Sequence, residues 1–281
     1  SANFHDFVNN NIVRGDWKNI ERPVLINDWE ACFFKFTREK LLKLARRAKK
    51  LGVELFVLDD GWFGARNSDR AGLGDWFVNE EKLPGGLGAI AERCHQRGMK
   101  FGLWIEPEMV NPDSDLYRAH PDWAIAAPDG TPRQARNQLV LDFARTDVVD
   151  YIKKVMYDVI AASGADYIKW DMNRSLTENW SHALPADRQG EVQHRYVLGV
   201  YELARYLTES FPEIFFEGCC GGGGRFDAAV LTFFPQIWTS DNTDAYDRVR
   251  IQYGTELIYP LSASSNHVSL SPNIRNGRIV N

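Results

Sequence analysis

Short apolar runs that end on a polar or acidic residue alternate with longer amphipathic stretches from Arg22 to the end of the chain. Short runs suit strands covered on both faces, and stretches with apolar positions three and four apart suit the helices that cover them. The alternation therefore predicts a repeated βα unit around a parallel sheet. Strands are expected at residues 24–29, 54–60, 100–106, 138–142, 166–171, 214–219, 236–241 and 261–268. The first helix follows Thr37, a capping residue, carries Leu41, Leu44, Ala45 and Ala48 on one face, and stops at Gly52. Further helices are expected at 87–97, 147–162, 191–210, 226–233 and 246–259, with a hairpin excursion at 123–134 around an Asp129-Gly130 turn.

Eight strands with helices between them specify an α/β chain, a (β/α)8 TIM barrel over 22–281 after a lead-in segment at 1–21. Nothing after Pro272 has the apolar spacing of an eighth helix. The last helix is therefore expected to be missing from this chain, and the rest of a longer protein to cover the exposed side.

Composition narrows the partners. The chain has 281 residues, 44% hydrophobic and 25% charged, the balance of one large soluble domain. A formal net charge of -5 offers no basic surface for phosphates or anionic lipid, which argues against nucleic acid and membrane partners. Cys32, Cys94, Cys219 and Cys220 form neither a Cys-x-x-Cys zinc pattern nor a spaced disulfide framework, so a reduced, cytoplasmic protein is expected. No membrane-length apolar run or leader pattern is seen, and no metal or cofactor is called for.

Nearly every expected strand finishes with a side chain capable of chemistry: Asp28 and Trp29, Asp59 and Asp60, Trp104 and Glu106, Asp142, Lys169 and Asp171, Glu217 and Cys219, and Asp241. The C-terminal ends of the strands are the active face of this fold. Singly, each acid also reads as a helix cap or turn residue; together on one rim they would repel unless paired, protonated or bound to a cation. In 167–173, strand alternation puts Lys169 and Asp171 on one face and Ile168 and Trp170 on the other. An adjacent ammonium favours the ionised carboxylate that a nucleophile needs, although a structural salt bridge fits the same spacing.

Asp241 ends the run Trp238-Thr239-Ser240-Asp241 two strands later, while Asp244 reads best as the cap of the following helix. Two carboxyls in one pocket can divide labour between attack on an anomeric carbon and protonation of the departing oxygen; retention of configuration needs them roughly 5 to 5.5 Å apart. Trp29, Trp62, Trp76, Trp104 and Trp238 fall at strand ends or rim loops, where flat faces stack on sugar rings; Trp123 and Trp170 read as core. The Gly221 to Gly224 run lets backbone approach a ligand, yet no Gly-Lys-Ser/Thr follows it, which excludes a P-loop.

Leu58 to Gly64, Trp104 to Met109, Lys169-Trp170-Asp171-Met172-Asn173-Arg174 and Trp238 to Asp244 together resemble glycoside hydrolase family 36, and the likeness covers almost the whole chain. The resemblance implies a retaining α-galactosidase acting on raffinose- or melibiose-type galactosides, with Asp171 as nucleophile and Asp241 as acid/base. It implies that Asp59 and Asp60 hold the galactose 4- and 6-hydroxyls, that Lys169, Arg136, Asn173, Cys219 and Gly221 touch other ring oxygens, and that Trp29, Trp104 and Trp238 form walls. It also implies flanking β domains absent from this chain and a homo-oligomer, with a tetramer plausible in the full-length protein. Cys220 stands where the family commonly has serine, and Ser264-Ser265-Asn266 replaces a Met-Gly-Ala-like run, which bears on leaving-group preference. The rival readings are a galactosyl transferase or α-N-acetylgalactosaminidase relative, a non-catalytic sugar-binding barrel, and an enolase-type lyase holding magnesium on Asp142, Asp171, Glu217 and Asp241.

Overall fold

A computed structural model describes residues 2–273 and 275–280. The chain divides into two compact units, Pro23–Ile168 with Met172–Ile214, and Ser1–Arg22 with Lys169–Asp171 and Phe215–Asn281.

In the larger unit, β1 (Leu25–Asn27), β2 (Leu55–Leu58) and β3 (Lys100–Ile105) run parallel and in that order, Leu25 opposite Leu55 and Leu55 opposite Lys100. The apolar runs of β2 and of β3 beyond Lys100 are buried on both faces, as a parallel sheet covered by helices requires, while β1 is half-buried. Two short strands, β4 (Met109–Val110) and β5 (Leu139–Val140), pair antiparallel as a separate ribbon. The strand expected at 138–142 is thus not a stave of the parallel sheet. Glu108 O and Trp123 O accept from Leu141 N and Asp142 N, which draws this segment into the excursion. The excursion turns at Asp129 and Gly130 as expected, with the Asp129 carboxylate accepting from Thr131 N at 2.8 Å, but it pairs through isolated bridges to Leu141 and Trp180 instead of closing a regular hairpin. β6 (Tyr167–Trp170) starts beside β3, where Asp166 N donates to Phe101 O and Asp166 Oδ2 accepts from Phe101 N.

Helices follow where spacing placed them. Thr37 Oγ1 accepts from Lys40 N at the start of Arg38–Lys50, and Gly52 ends that turn with φ 88°. In Thr146–Ser163, Val148, Val149, Ile152, Met156 and Ile160 are buried along one face, and Gly164 in the left-handed region terminates it.

In the smaller unit, the end of β6 continues into β7 (Phe215–Gly218), β8 (Gln236–Trp238) and β9 (Ser264–Ser265), again parallel and in that order. The lead-in segment is built into this unit: Trp17 stacks on Phe215 at 4.7 Å, and Arg22 donates to Pro235 O and Ser262 O. Asp244 caps Ala245–Glu256 by accepting from Tyr246 N and Asp247 N, as expected.

Three expected elements shrink. Residues 226–233 form only the 3-10 turn Val230–Thr232, because Asp227 Oδ1 takes the N–H groups of Ala229 and Val230 locally. Residues 261–268 contribute a 3-10 turn and the two-residue β9. The first strand stops at Asn27, whose side chain accepts from Trp29 N, so Trp29 opens a short helix, Trp29–Cys32, instead of closing the strand. Among the described residues no helix follows β9.

Candidate active site

The smaller unit gathers six of the expected positions, Lys169, Asp171, Cys219, Gly221, Trp238 and Asp241. Lys169 and Asp171 are buried at the end of β6, and Trp170 between them points the other way, packing on Phe234 at 5.3 Å with no exposure. The alternation anticipated for this segment and the core role of Trp170 both hold. Cys219 leaves β7 with its N–H donating to Trp170 O, which ties the two strand ends together. Its buried thiol is pushed well up by desolvation and by the charge of Asp171, with Asp241 adding to the effect and Lys169 opposing it. Both candidate carboxylates therefore bear on one sulfur, and that sulfur stays a protonated thiol instead of a nucleophile.

Asp241 lies just beyond β8. Trp238 Nε1 donates to Asp241 Oδ1 at 3.0 Å, and Lys169 Nζ lies 4.8 Å from the centre of the Trp238 ring. The glycine run is part of the same construction. Gly222 has φ 92°, and a Cβ there would meet Ser240 Cα at 2.8 Å and Asp241 N at 3.0 Å. At Gly223 a Cβ would sit 2.6 Å from Thr239 O. Glycine is thus required for the loop after Cys219 to lie against the turn carrying Asp241, a closer reason than approach to a phosphate.

The larger unit holds the other expected positions, each with supports that the sequence did not reveal. Asp59 accepts from Asn27 Nδ2 at 2.5 Å and from Asp60 N at 2.9 Å. Asp60 is gripped by Arg66, with Nε to Oδ1 at 2.9 Å and Nη2 to Oδ2 at 2.7 Å, and Arg66 itself is only 2% exposed. Such a fork fixes a carboxylate plane while leaving lone pairs for further donors. Arg136 Nη1 donates to Asn173 Oδ1 at 2.8 Å; Asn173 N donates to buried Glu106, whose other oxygen accepts from Gln138. Trp104 packs with Phe63 and Trp76, and Trp62 Nε1 donates to its carbonyl. Trp62, Trp76 and Trp104 are 0%, 4% and 2% exposed inside this cluster, so all three pack as core and none is the open rim platform its position suggested. Trp123 fills core as expected, stacked on His120. Trp29 meets Phe33 and Phe34 edge-on and keeps partial exposure.

Asp28 is a further support of Asp59. Its Oδ1 accepts from Asp59 N at 2.8 Å, its Oδ2 is buried without a partner, and desolvation raises its pKa to about 7, with the charge of Asp59 adding to the rise. A carboxyl that is protonated in the folded chain and ionised in the unfolded one above the usual aspartate pKa near 3.9 contributes stability that is full below pH 4 and lost as pH rises through 7. Asp28→Asn, which mimics the protonated form at every pH, is expected to gain on the wild type between pH 4 and 7 by on the order of 4 kcal/mol. Urea unfolding at several pH values checks this; a constant difference would show that Asp28 titrates normally.

Among the described residues no group of three His, Cys, Asp or Glu side chains is placed to hold a metal ion, and no helix is long and apolar enough to cross a membrane. Glu217 is bonded to Gln236, and Asp142 to Ser181 and Ala144 N.

The backbone matches solved α-galactosidases. AgaA of Geobacillus stearothermophilus, a GH36 α-galactosidase, superposes with a TM-score of 0.97 at 52% identity, over 99% of this chain and 39% of that one. A variant of that enzyme in complex with raffinose matches equally, with a TM-score of 0.97. In sequence, AgaA is 53% identical over 279 residues, and the α-galactosidase Mel36A of Lactobacillus acidophilus is 52% identical; each alignment takes in 99% of this chain and 38% of the relative. The Melibiase family profile matches residues 1–281. The class is thus a glycoside hydrolase barrel. The chain belongs to the melibiase family, within the GH36 group of α-galactosidases, and spans about two-fifths of the length of the relatives it matches.

Proposed function

We propose that this chain carries the catalytic centre of a retaining α-galactosidase that releases terminal α-linked galactose from raffinose-type oligosaccharides. The observation that carries the reading is geometric: Lys169 and Asp171 are buried at the end of one strand, Lys169 Nζ lies 4.8 Å from the Trp238 ring, and that ring donates to Asp241 Oδ1 at 3.0 Å. That is the arrangement expected of two acids serving one small centre. Relatives support the substrate class: structures of AgaA variants contain raffinose and stachyose.

In this mechanism an Asp171 oxygen attacks the anomeric carbon and the glycosidic C–O bond breaks. The departing oxygen takes the proton of Asp241. Water then adds to the galactosyl-enzyme ester from the opposite face, Asp241 takes its proton, and the Asp171 carboxylate is released with the anomeric configuration retained. Lys169, beside both the aspartate and the Trp238 ring, favours the ionised nucleophile. From the family resemblance, Asp59 and Asp60 accept hydrogen bonds from galactose hydroxyls. Their neighbours Asn27 and Arg66 hold them for that task at the distances given above.

Trapping tests the reading. An activated fluorinated galactoside, which forms the ester faster than water removes it, is expected to label Asp171, read by mass spectrometry of the proteolysed full protein. A label on Asp241, or on an aspartate of the larger unit, would overturn the assignment.

A further inference from the structure

Trp238 does more in this structure than present a flat face. Its indole N–H is committed to Asp241 Oδ1 at 3.0 Å. Its ring is held in a fixed plane by His267, whose imidazole stacks on it with centroids 4.6 Å apart and planes within 9°. Neither ring nitrogen of His267 has a hydrogen-bond partner, although both are buried. The imidazole therefore contributes its face and not its donors. Burial and the nearby Arg248, Lys169 and Arg275 push its pKa down to about 4, so the stack is uncharged around neutral pH. Lys169 lies 4.8 Å from the same indole, placing a positive charge beside the ring that donates to Asp241.

From this geometry we infer that Trp238 is the positioning residue of the acid/base: held by its stack on His267, it fixes one oxygen of Asp241 so that the other delivers and recovers the proton. The inference deepens the functional reading above and rests on it. The physics follows from one bond. A donor on Oδ1 selects a single orientation of the carboxyl and leaves Oδ2 to carry the proton. As that proton moves to the leaving oxygen, Asp241 gains negative charge, and a hydrogen bond from an N–H strengthens with it. The bond is thus worth more in the transition state than in the resting acid, which is the condition for raising kcat. His267 enters only through the indole, because a tryptophan free to rotate would lose the short contact. The rim position of Trp238 accounts for a sugar wall by itself; the hydrogen bond to Asp241 and the parallel histidine are not needed for that role.

The test uses Trp238→Phe, which keeps an aromatic face and removes the N–H, in the full protein, with circular dichroism as the check on folding. Raffinose and a series of aryl α-galactosides are compared. The variant is expected to lose about 10- to 100-fold in kcat on raffinose with little change in KM, and to lose much less on a dinitrophenyl galactoside, whose leaving group needs no proton. His267→Ala is expected to show the same leaving-group pattern, and His267→Phe, which restores the stack, to recover most of the loss. Added to Asp241→Ala, the Trp238→Phe change should no longer alter the leaving-group slope. Equal losses on all substrates, or a loss confined to KM, would reduce Trp238 to a wall and overturn the inference. A flat leaving-group dependence in Asp241→Ala alone would instead remove Asp241 as the acid, a separate failure.

Discussion

Replacing Asp171 by glycine is expected to lower kcat on aryl α-galactosides by roughly 10⁵-fold, while the protein still folds and still binds galactose. The loss is large because the neighbouring Cys219 and Lys169 cannot take over the attack. Cys219 is kept as a thiol by burial and by the charge of Asp171, and Lys169 carries no lone pair while protonated. The glycine leaves a space on the face from which the ester would form. Azide in that space is expected to restore turnover of a dinitrophenyl galactoside and to give β-galactosyl azide, since the anion enters opposite the departing α-group. The product is identified by NMR. Formation of the α-azide, or no rescue with a folded protein, would mean that Asp171 supports the site electrostatically and does not form a bond to the sugar.

Relatively much of this arrangement was legible in the sequence. Amphipathic spacing and caps located the helices at Thr37 and Asp244, because each depends on a side chain acting within one turn. Alternation along 167–171 correctly separated Trp170 from Lys169 and Asp171, because a strand leaves no other arrangement of neighbouring side chains. Strand ends were less legible. An apolar run does not record where hydrogen bonding stops, and at Asn27 a side-chain bond to Trp29 N turned the chain into a helix two residues before the apolar pattern ended. The segment at 138–142 has the composition of a stave, but which strand it pairs with is decided by long-range contacts that its own residues do not encode.

In the site, the acids at strand ends were visible and their supports were not. Arg66 and Asp60 stand six positions apart across a glycine-containing loop, and nothing in that spacing predicts a two-pronged grip. Glu106 was noted as a strand-end acid, yet its bond to Asn173 N joins positions separated by 67 residues. His267 had no signal of its own beyond following Ser264-Ser265-Asn266, the run that departs from the family pattern. The role of tryptophan also needed coordinates: Trp62 follows a strand and Trp238 ends one, but the first is sealed in an aromatic cluster and the second keeps partial exposure beside Asp241. Position along a barrel strand selects which residues reach the rim, while the packing of the loop decides which of them remain available there.

Asp241→Ala is expected to separate substrates by the acidity of their leaving groups. Raffinose, whose leaving oxygen is a poor one, should lose about 10² to 10⁴-fold in kcat/KM, and a dinitrophenyl galactoside far less, because only the first requires the proton in the bond-breaking step. For the activated substrate the ester then forms readily and accumulates, since its hydrolysis needs Asp241 again as the base that takes a proton from water. A burst of phenolate followed by a slow steady rate is the expected signature. Azide, which needs no base, should speed the second step and give α-galactosyl azide, the opposite anomer from the Asp171 variant. The contrast arises because the two carboxyls work from opposite faces of one carbon, so each vacancy admits the anion from its own side. Equal losses on both substrates, or the same azide anomer from both variants, would show that the two acids do not divide the reaction in this way.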